Sequence, residues 1–270
     1  MIVARPPNKR LKLPRLASTP YREIAYHVPY TEELYGGAAI DEDPLVVSPS
    51  GENWMPLFLE NGRVTVFISG NPRCGKSYFA REIIDSLPED AHIILFTALE
   101  EEDGHFKEWK KEGRLTKITV KTENLKPLEE LTLTKIRSYA DFPILLFDDV
   151  DTIKDEKLKR ALFKLMNDVL ANGRGHTKHD GTGDVHVICT SHSPNNYVQT
   201  KYTTENSEYI AIPPCGTTWK QYKTMMDKLG VPEDLQKLSF QEGKKGKFRF
   251  TIIKQTTPMY MIFGDTITLL

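Results

Sequence analysis

The sequence predicts an α/β protein: a mostly parallel β-sheet flanked by helices, with extra β-strands near the C-terminal end. Three observations carry this. From residue 62 onward short apolar runs alternate with longer amphipathic stretches, the pattern of a parallel sheet covered by helices. One run, VTVFIS, leads into a glycine-bounded turn and then the helix-compatible stretch SYFAREII. Another, ILLF, ends in two consecutive aspartates, at the carboxyl end of a strand, where ligands sit in open α/β sheets.

Each element follows in order. Residues 1–22 carry Arg5, Lys9, Arg10, Lys12, Arg15 and Arg22, no acidic residue, and Pro6, Pro7, Pro14 and Pro20. Such a segment forms no regular helix; it suits contact with nucleic acid or a neighbouring subunit, or plain solvation. Residues 1–60 are therefore read as a basic arm and lead-in, and residues 61–270 as the main domain. Strands are expected at 63–69, 92–97, 116–120, 143–147 and 185–190. All but the third are nearly continuous in apolar residues, as in a strand buried on both faces. Helices are expected at 76–86 and 156–170, the second with Leu158, Ala161, Leu162, Leu165, Met166 and Val169 on one face. Beyond Pro194 come a strand at 209–212, helical stretches near 219–229 and 233–238, and alternating strands at 248–254 and 259–263.

Composition narrows the function. Lys and Arg total 36 against 37 Asp and Glu, a formal net charge of −1, so any hold on nucleic acid comes from a local patch rather than an overall basic field. Apolar runs such as 144–147 are far short of the roughly 20 residues of a membrane-spanning helix. The opening lacks the apolar core of a secretory signal, and Cys74, Cys189 and Cys215 are odd in number and widely spaced, which points to a reduced, intracellular setting.

Gly70-Asn71-Pro72-Arg73-Cys74-Gly75-Lys76-Ser77 fits G-x-x-x-x-G-K-[ST], the phosphate-binding loop of a P-loop NTPase. In this motif backbone N–H groups surround the phosphates, the lysine reaches the β and γ oxygens, and the hydroxyl ligates Mg²⁺. Gly70 to Ser77, with Tyr78 following, are the expected nucleotide contacts. Cys74 reads as a small residue rather than a redox switch. The strand before the loop and the helix after it supply the context the motif requires, and the helix N-terminus favours the anion.

In ILLFDD, Asp148 is expected to hold Mg²⁺ beside Ser77, and Asp149 to orient or deprotonate the water attacking the γ-phosphate. Asp151 or Asp155 is expected to cap the next helix. The neighbouring strand VICT runs into Ser191-His192-Ser193-Pro194. Thr190, Ser191 and His192 are candidates to sense the γ-phosphate, with His192 favoured. Arg174, in NGRGH, is placed to serve as a finger in trans toward a neighbour's γ-phosphate or to complement the helix dipole. His176, His179 and His186 match no zinc spacing.

These residues resemble the FtsK-HerA superfamily of DNA-pumping ATPases, and within it the poxvirus-type genome-packaging ATPases of large nucleocytoplasmic DNA viruses. GNPRCGKS is similar to that family's Walker A loop and LLFDD to its Walker B segment. NGRGH looks like its Gly-Arg-His turn with Gly175 inserted, and VICTSHSP like the strand tip where His192 replaces a glutamine. FTIIKQTTPMYMIFGDTITLL resembles its C-terminal strands. The resemblance spans roughly residues 63–270. It implies a RecA/FtsK-like sheet in a homo-oligomeric ring that hydrolyses ATP with Mg²⁺ between subunits while double-stranded DNA passes into a preformed capsid. It further implies partners at the capsid or portal, and a place in the host cytoplasm, at the virus factory, or in the virion. Lys178, Lys244, Lys245 and Lys247 are candidate DNA contacts.

Three alternatives stand beside it. FDDVDTI also suggests an AAA-type loader or initiator, which needs a helical lid with a second sensor arginine after Pro194, where the sequence reads instead as strands. An ATP-gated assembly protein with little hydrolysis and a small-molecule phosphotransferase are the others; the clustered arginines of a phosphotransferase lid are not found.

Overall fold

Residues of alternating parity along the apolar runs are buried on opposite faces of one sheet. In the computed structural model, which describes residues 15–18, 24–26, 55–56, 63–87, 90–100, 104–174, 184–192, 197–246, 249–256, 259–264 and 266–270, a small antiparallel sheet comes first. It is formed by β1 (Arg15–Ser18), β2 (Ile24–Tyr26) and β3 (Met55–Pro56), with β1 in the middle. Of the arm's basic residues only Arg15 falls on it; Arg5, Lys9, Arg10, Lys12 and Arg22 lie outside the described residues.

The main sheet has nine strands. Six are parallel neighbours: β9 (Tyr209–Ile212), β4 (Thr65–Ser69), β8 (His186–Ser191), β7 (Pro143–Asp148), β5 (His92–Thr97) and β6 (Leu115–Thr119), in that spatial order. Beyond β9 the sheet continues antiparallel through β10 (Thr251–Lys254), β11 (Tyr260–Phe263) and β12 (Thr266–Leu269). This is the expected α/β architecture with extra C-terminal strands. β8 separates the loop strand β4 from the acid-bearing β7. β5 and β6, which come between the loop and the acids along the chain, lie on the far side of β7. β6 is the edge, and its residues are only half buried, which is why its sequence lacks a continuous apolar run.

Eight helices are described: α1 (Lys76–Asp85), α2 (Lys107–Lys111), α3 (Leu125–Glu129), α4 (Leu133–Arg137), α5 (Glu156–Asn172), α6 (Tyr197–Asn206), α7 (Trp219–Lys228) and α8 (Glu233–Lys244). On one face Val66, Ile68, Ile93, Leu95, Ile144 and Leu146 pack under α1 and α2. On the other, Phe67, Ile94, Phe96, Leu145, Phe147 and Val187 pack under α3, α5, α7 and α8. Asp155 caps α5, accepting from the N–H groups of Lys157 and Leu158 at 2.9 and 3.2 Å. Thr218 and Gln221 form a capping box at α7. The chain after Pro194 differs from expectation: before β9 it forms α6, whose Val and Thr content hides its helical character.

The N-terminal edge of the parallel strands is held by Arg63, which the sequence reads as the start of a strand. Its guanidinium is buried and donates to the carbonyls of Val185 (2.8 Å), Leu170 (2.9 Å) and Val169 (2.5 Å), closing the C-terminal end of α5. Burial lowers its pKa to about 10, against the pull of Asp184.

Candidate nucleotide and hydrolysis site

The loop from Gly70 to Ser77 joins the end of β4 to the start of α1, at the carboxyl edge of the parallel strands. Gly75, at the N-cap of α1, has φ +92°, a left-handed conformation that suits glycine and would strain a side chain. Arg73 is also left-handed, at φ +65°. The loop is braced from below. Gly70 N–H donates to Ser191 O at 3.1 Å and Asn71 N–H to Gly216 O at 3.2 Å. A Cβ on Gly70 would lie 2.6 Å from Pro213 Cγ and 2.8 Å from Cys74 Sγ, so the loop rests directly on the turn after β9. Cys74 is buried there, and burial pushes its thiol pKa up, with Lys76 opposing. Asn71, Pro72 and Arg73 are exposed, and with Cys74 and residues 215–218 they line a cavity of about 480 Å³. Tyr78 lies outside this enclosure, exposed on α1, where a hydrogen bond to Glu82 raises its phenol pKa.

Lys76 is 5% exposed, and its Nζ donates to Gly70 O (3.1 Å) and to His192 Nδ1 (3.1 Å), and stands 3.6 Å from Asp149 Oδ1. An ammonium only donates, so His192 accepts at Nδ1. Its other nitrogen, Nε2, then carries the proton directed at Asp149 Oδ2, 3.0 Å away. Lysine, imidazole and carboxylate thus form a closed triangle above the loop. Ser77 Oγ donates to Asp148 Oδ1 at 3.4 Å. Thr190 bridges the two acids: its Oγ1 is 2.9 Å from Asp148 Oδ1 and 3.1 Å from Asp149 Oδ1, and it accepts the Asp149 N–H at 2.8 Å. Asp149 itself adopts φ +49°, a left-handed backbone unusual outside glycine and characteristic of sites where position outranks comfort.

Ser77 hydroxyl and Asp148 carboxylate make a hard, all-oxygen pair beside a phosphate loop, the donor chemistry that suits Mg²⁺. The loop's left-handed Gly75 leads into the N-terminal turn of α1, which suits phosphate oxygens. The residues present therefore fit ATP and Mg²⁺.

The structure brings together Gly70, Gly75, Lys76, Ser77, Asp148, Asp149 and His192, whose positions in the sequence span 123 residues, from 70 to 192. Arg174 it does not bring to them. That residue is exposed at the opposite edge of the sheet, next to Gly173, whose carbonyl accepts the Val185 N–H at 2.8 Å. The length of β4, about 17 Å at the usual strand rise, separates it from its own loop. Arg137 donates to the carbonyls of Asn172 (3.2 Å) and Arg174 (2.8 Å) and pins that turn. His176, His179, Gly175 and Lys178 lie outside the described residues. His186 is buried in β8, where Nδ1 accepts the Val64 N–H at 3.1 Å and burial lowers its pKa to about 4. Among the described residues no cluster of three His, Cys, Asp or Glu side chains could hold a metal ion.

Of the two aspartates expected to cap α5, Asp155 does so, and Asp151 turns back to the tip of β8. Thr190, one of three candidates in the sequence, has the most central place, buried between the two acids. The signal for it was only its position at the end of an apolar run.

Comparison with known proteins places the chain. Residues 66–202, half of its length, match the model of the ATPase family associated with various cellular activities (AAA). The chain belongs to the AAA family of ATPases. This member is 22% identical over 228 residues to the uncharacterized protein V3 of the Sputnik virophage, covering 82% of each chain. Among solved structures it is similar to the conjugation coupling protein TcpA of pCW3, at 14% identity and TM-score 0.47, covering 83% of this chain and 67% of that one. The cytoplasmic domain of the type VII secretion ATPase EccC of Thermomonospora curvata gives 14% identity and TM-score 0.46, over 82% of this chain and 26% of that one. Among the described residues no helix is long and apolar enough to cross a membrane.

Proposed function

We propose that this AAA-family chain hydrolyses ATP to drive double-stranded DNA through a homo-oligomeric ring into a viral capsid. The observation that carries the hydrolytic part is the triangle that Lys76, at the start of α1, forms with Asp149 and His192, just past the tips of β7 and β8. Lys76 holds the β and γ oxygens. Ser77 and Asp148 would hold Mg²⁺, which would neutralise charge developing on the phosphates. Asp149, kept in register by its left-handed backbone and by Thr190, accepts the proton of the attacking water. His192 fixes the direction of the Asp149 carboxylate through Nε2. The cavity beside residues 215–218 receives the nucleoside.

The DNA-packaging part rests on the resemblance of loop, acid segment and C-terminal strands to packaging ATPases, and a relative in a virophage supports the viral setting. AAA membership alone also accommodates a loader. That reading needs a sensor arginine in the helices after Pro194, and α7 (WKQYKTMMDK) and α8 (EDLQKLSFQEGK) carry none; the chain then returns to strands β10 to β12. Arg174, remote from its own loop and exposed, serves the neighbouring subunit's γ-phosphate. Lys244 and Lys245 are exposed at the end of α8, the first over the Phe240 ring and the second beside Glu242, and are the described candidates for DNA contact; Lys247 lies outside the described residues.

The test is steady-state ATP hydrolysis with and without linear duplex DNA at low and moderate salt, with Lys76→Ala as blank. Stimulation that weakens with salt is the expected result. A slow rate indifferent to DNA, with assembly dependent on ATP, would support an assembly switch instead.

A further inference from the structure

We propose that Asp151 is a positioning residue that holds the tip of β8 so that His192 stands between Lys76 and Asp149. The inference rests on the ATPase reading above and concerns how its site is kept in shape.

The sheet holds β8 only as far as Ser191, whose partner on β4 is Ser69 and whose carbonyl takes the Gly70 N–H. His192 is the first residue past that ladder, and strand pairing no longer sets its direction. Its N–H is handed to Asp151 Oδ2 at 3.0 Å, and the same oxygen accepts from Ser191 Oγ at 2.9 Å. Asp151 lies in the short turn Val150–Thr152 that follows Asp149. One carboxylate therefore ties the imidazole's backbone to the turn that carries the acid the imidazole faces. Without it His192 could swing while both β7 and β8 stayed intact.

The other oxygen marks the side chain as held for this purpose. Among the described residues Asp151 Oδ1 is buried with no hydrogen-bond partner. A buried carboxylate oxygen left unpaired is costly, and the adjacent helix does not need this residue, since Asp155 provides its cap. The return on that cost is the pair of hydrogen bonds to the β8 tip. Among the described residues the hydrogen bonds of Asp151 go to Ser191 and His192 and none to Lys76 or the loop side chains, so its effect on turnover passes through the β8 tip and His192.

The experiment measures kcat and KM for ATP in full-length wild type, Asp151→Ala, His192→Ala and the double variant. Asp151→Ala is expected to lower kcat at least about 10-fold with KM within about 3-fold, the split expected when ground-state binding is untouched. In the His192→Ala background the same change should cost less than about 2-fold, because residues acting as a unit are not additive. Asp151→Asn should recover most of the lost kcat, since its amide oxygen accepts the same two hydrogen bonds. Ser191→Ala, which removes one of the two, should give an intermediate kcat and serves if Asp151→Ala fails to fold. Wild-type kcat in Asp151→Ala, a loss that multiplies in full onto His192→Ala, or a loss expressed in KM would overturn the inference. A wild type that binds ATP and Mg²⁺ without hydrolysing it overturns the ATPase reading as well, an outcome separable from the others.

Discussion

The two edges of the parallel sheet use charge in opposite ways. At the carboxyl edge Lys76, Asp148, Asp149 and His192 face one another, with Asp149 in a left-handed backbone and Lys76 almost fully buried. At the amino edge Arg63 and Arg137 spend their donors on main-chain carbonyls around the end of α5, and His186 is buried beside them. The first edge keeps its charged groups convergent and ready to meet phosphate. The second satisfies carbonyls that α5 leaves open at its end. One sheet thus separates chemistry from fastening, and variants at the two edges should separate turnover from stability.

Lys76→Ala gives the largest effect, a loss of turnover of at least about 10³-fold in steady-state assays, because the γ-phosphate loses its cation. Chemical denaturation of that variant should show a fold still cooperative. Arg63→Ala breaks the comparison from the other side. It removes three buried hydrogen bonds at once, of whose acceptors Val169 O keeps the Gly173 N–H at 2.8 Å, and should cost about 3 to 5 kcal/mol of stability, read from denaturant midpoints. Arg63→Lys should rescue little of it, since one ammonium cannot match the guanidinium's fork.

The amino edge also carries a pH dependence. Burial lowers the pKa of His186 to about 4, Asp184 opposing and Arg63 adding to the fall, against 6.5 in the unfolded chain. As pH drops below about 6.5 the unfolded state takes up the proton first, so stability is full above that value and declines toward pH 4, by on the order of 3 kcal/mol from this group. In His186→Gln the part of the slope between pH 6.5 and 5 should flatten; an unchanged slope would contradict the assignment.

The smallest effect tests the cavity beside the loop. Cys74 and Cys189 are buried, with thiol pKa values pushed up, and Cys215 is exposed. Iodoacetamide should modify Cys215 first, and MgATP should slow that reaction several-fold if the nucleoside sits against residues 215–218.

Much of this was legible in the sequence because the informative signals are local. β4, β5, β7 and β8 are continuous apolar runs, α5 shows its stripe over four turns, and the loop's glycines stand where a tight turn over an anion requires them. The rest depends on contacts across the chain. α2, α3 and α4 have five residues each, too short to display a 3.6-residue period. Arg63 reads as the edge of a strand because its partners lie 106 to 122 residues away. Asp151 is indistinguishable from a helix cap until the β8 tip is seen beside it. Thr190 is one hydroxyl among three in sequence and becomes the bridge between two acids only when β7 and β8 pair.

The central claim is that the carboxyl edge hydrolyses ATP with Asp149 acting on water. Its most direct test is single-turnover hydrolysis by Asp149→Asn preloaded with ATP and Mg²⁺. The account predicts nucleotide affinity close to wild type, a hydrolysis step slowed at least about 100-fold, and undiminished stability, since asparagine tolerates a left-handed backbone at least as well as aspartate. Hydrolysis at the wild-type rate in that variant would contradict it.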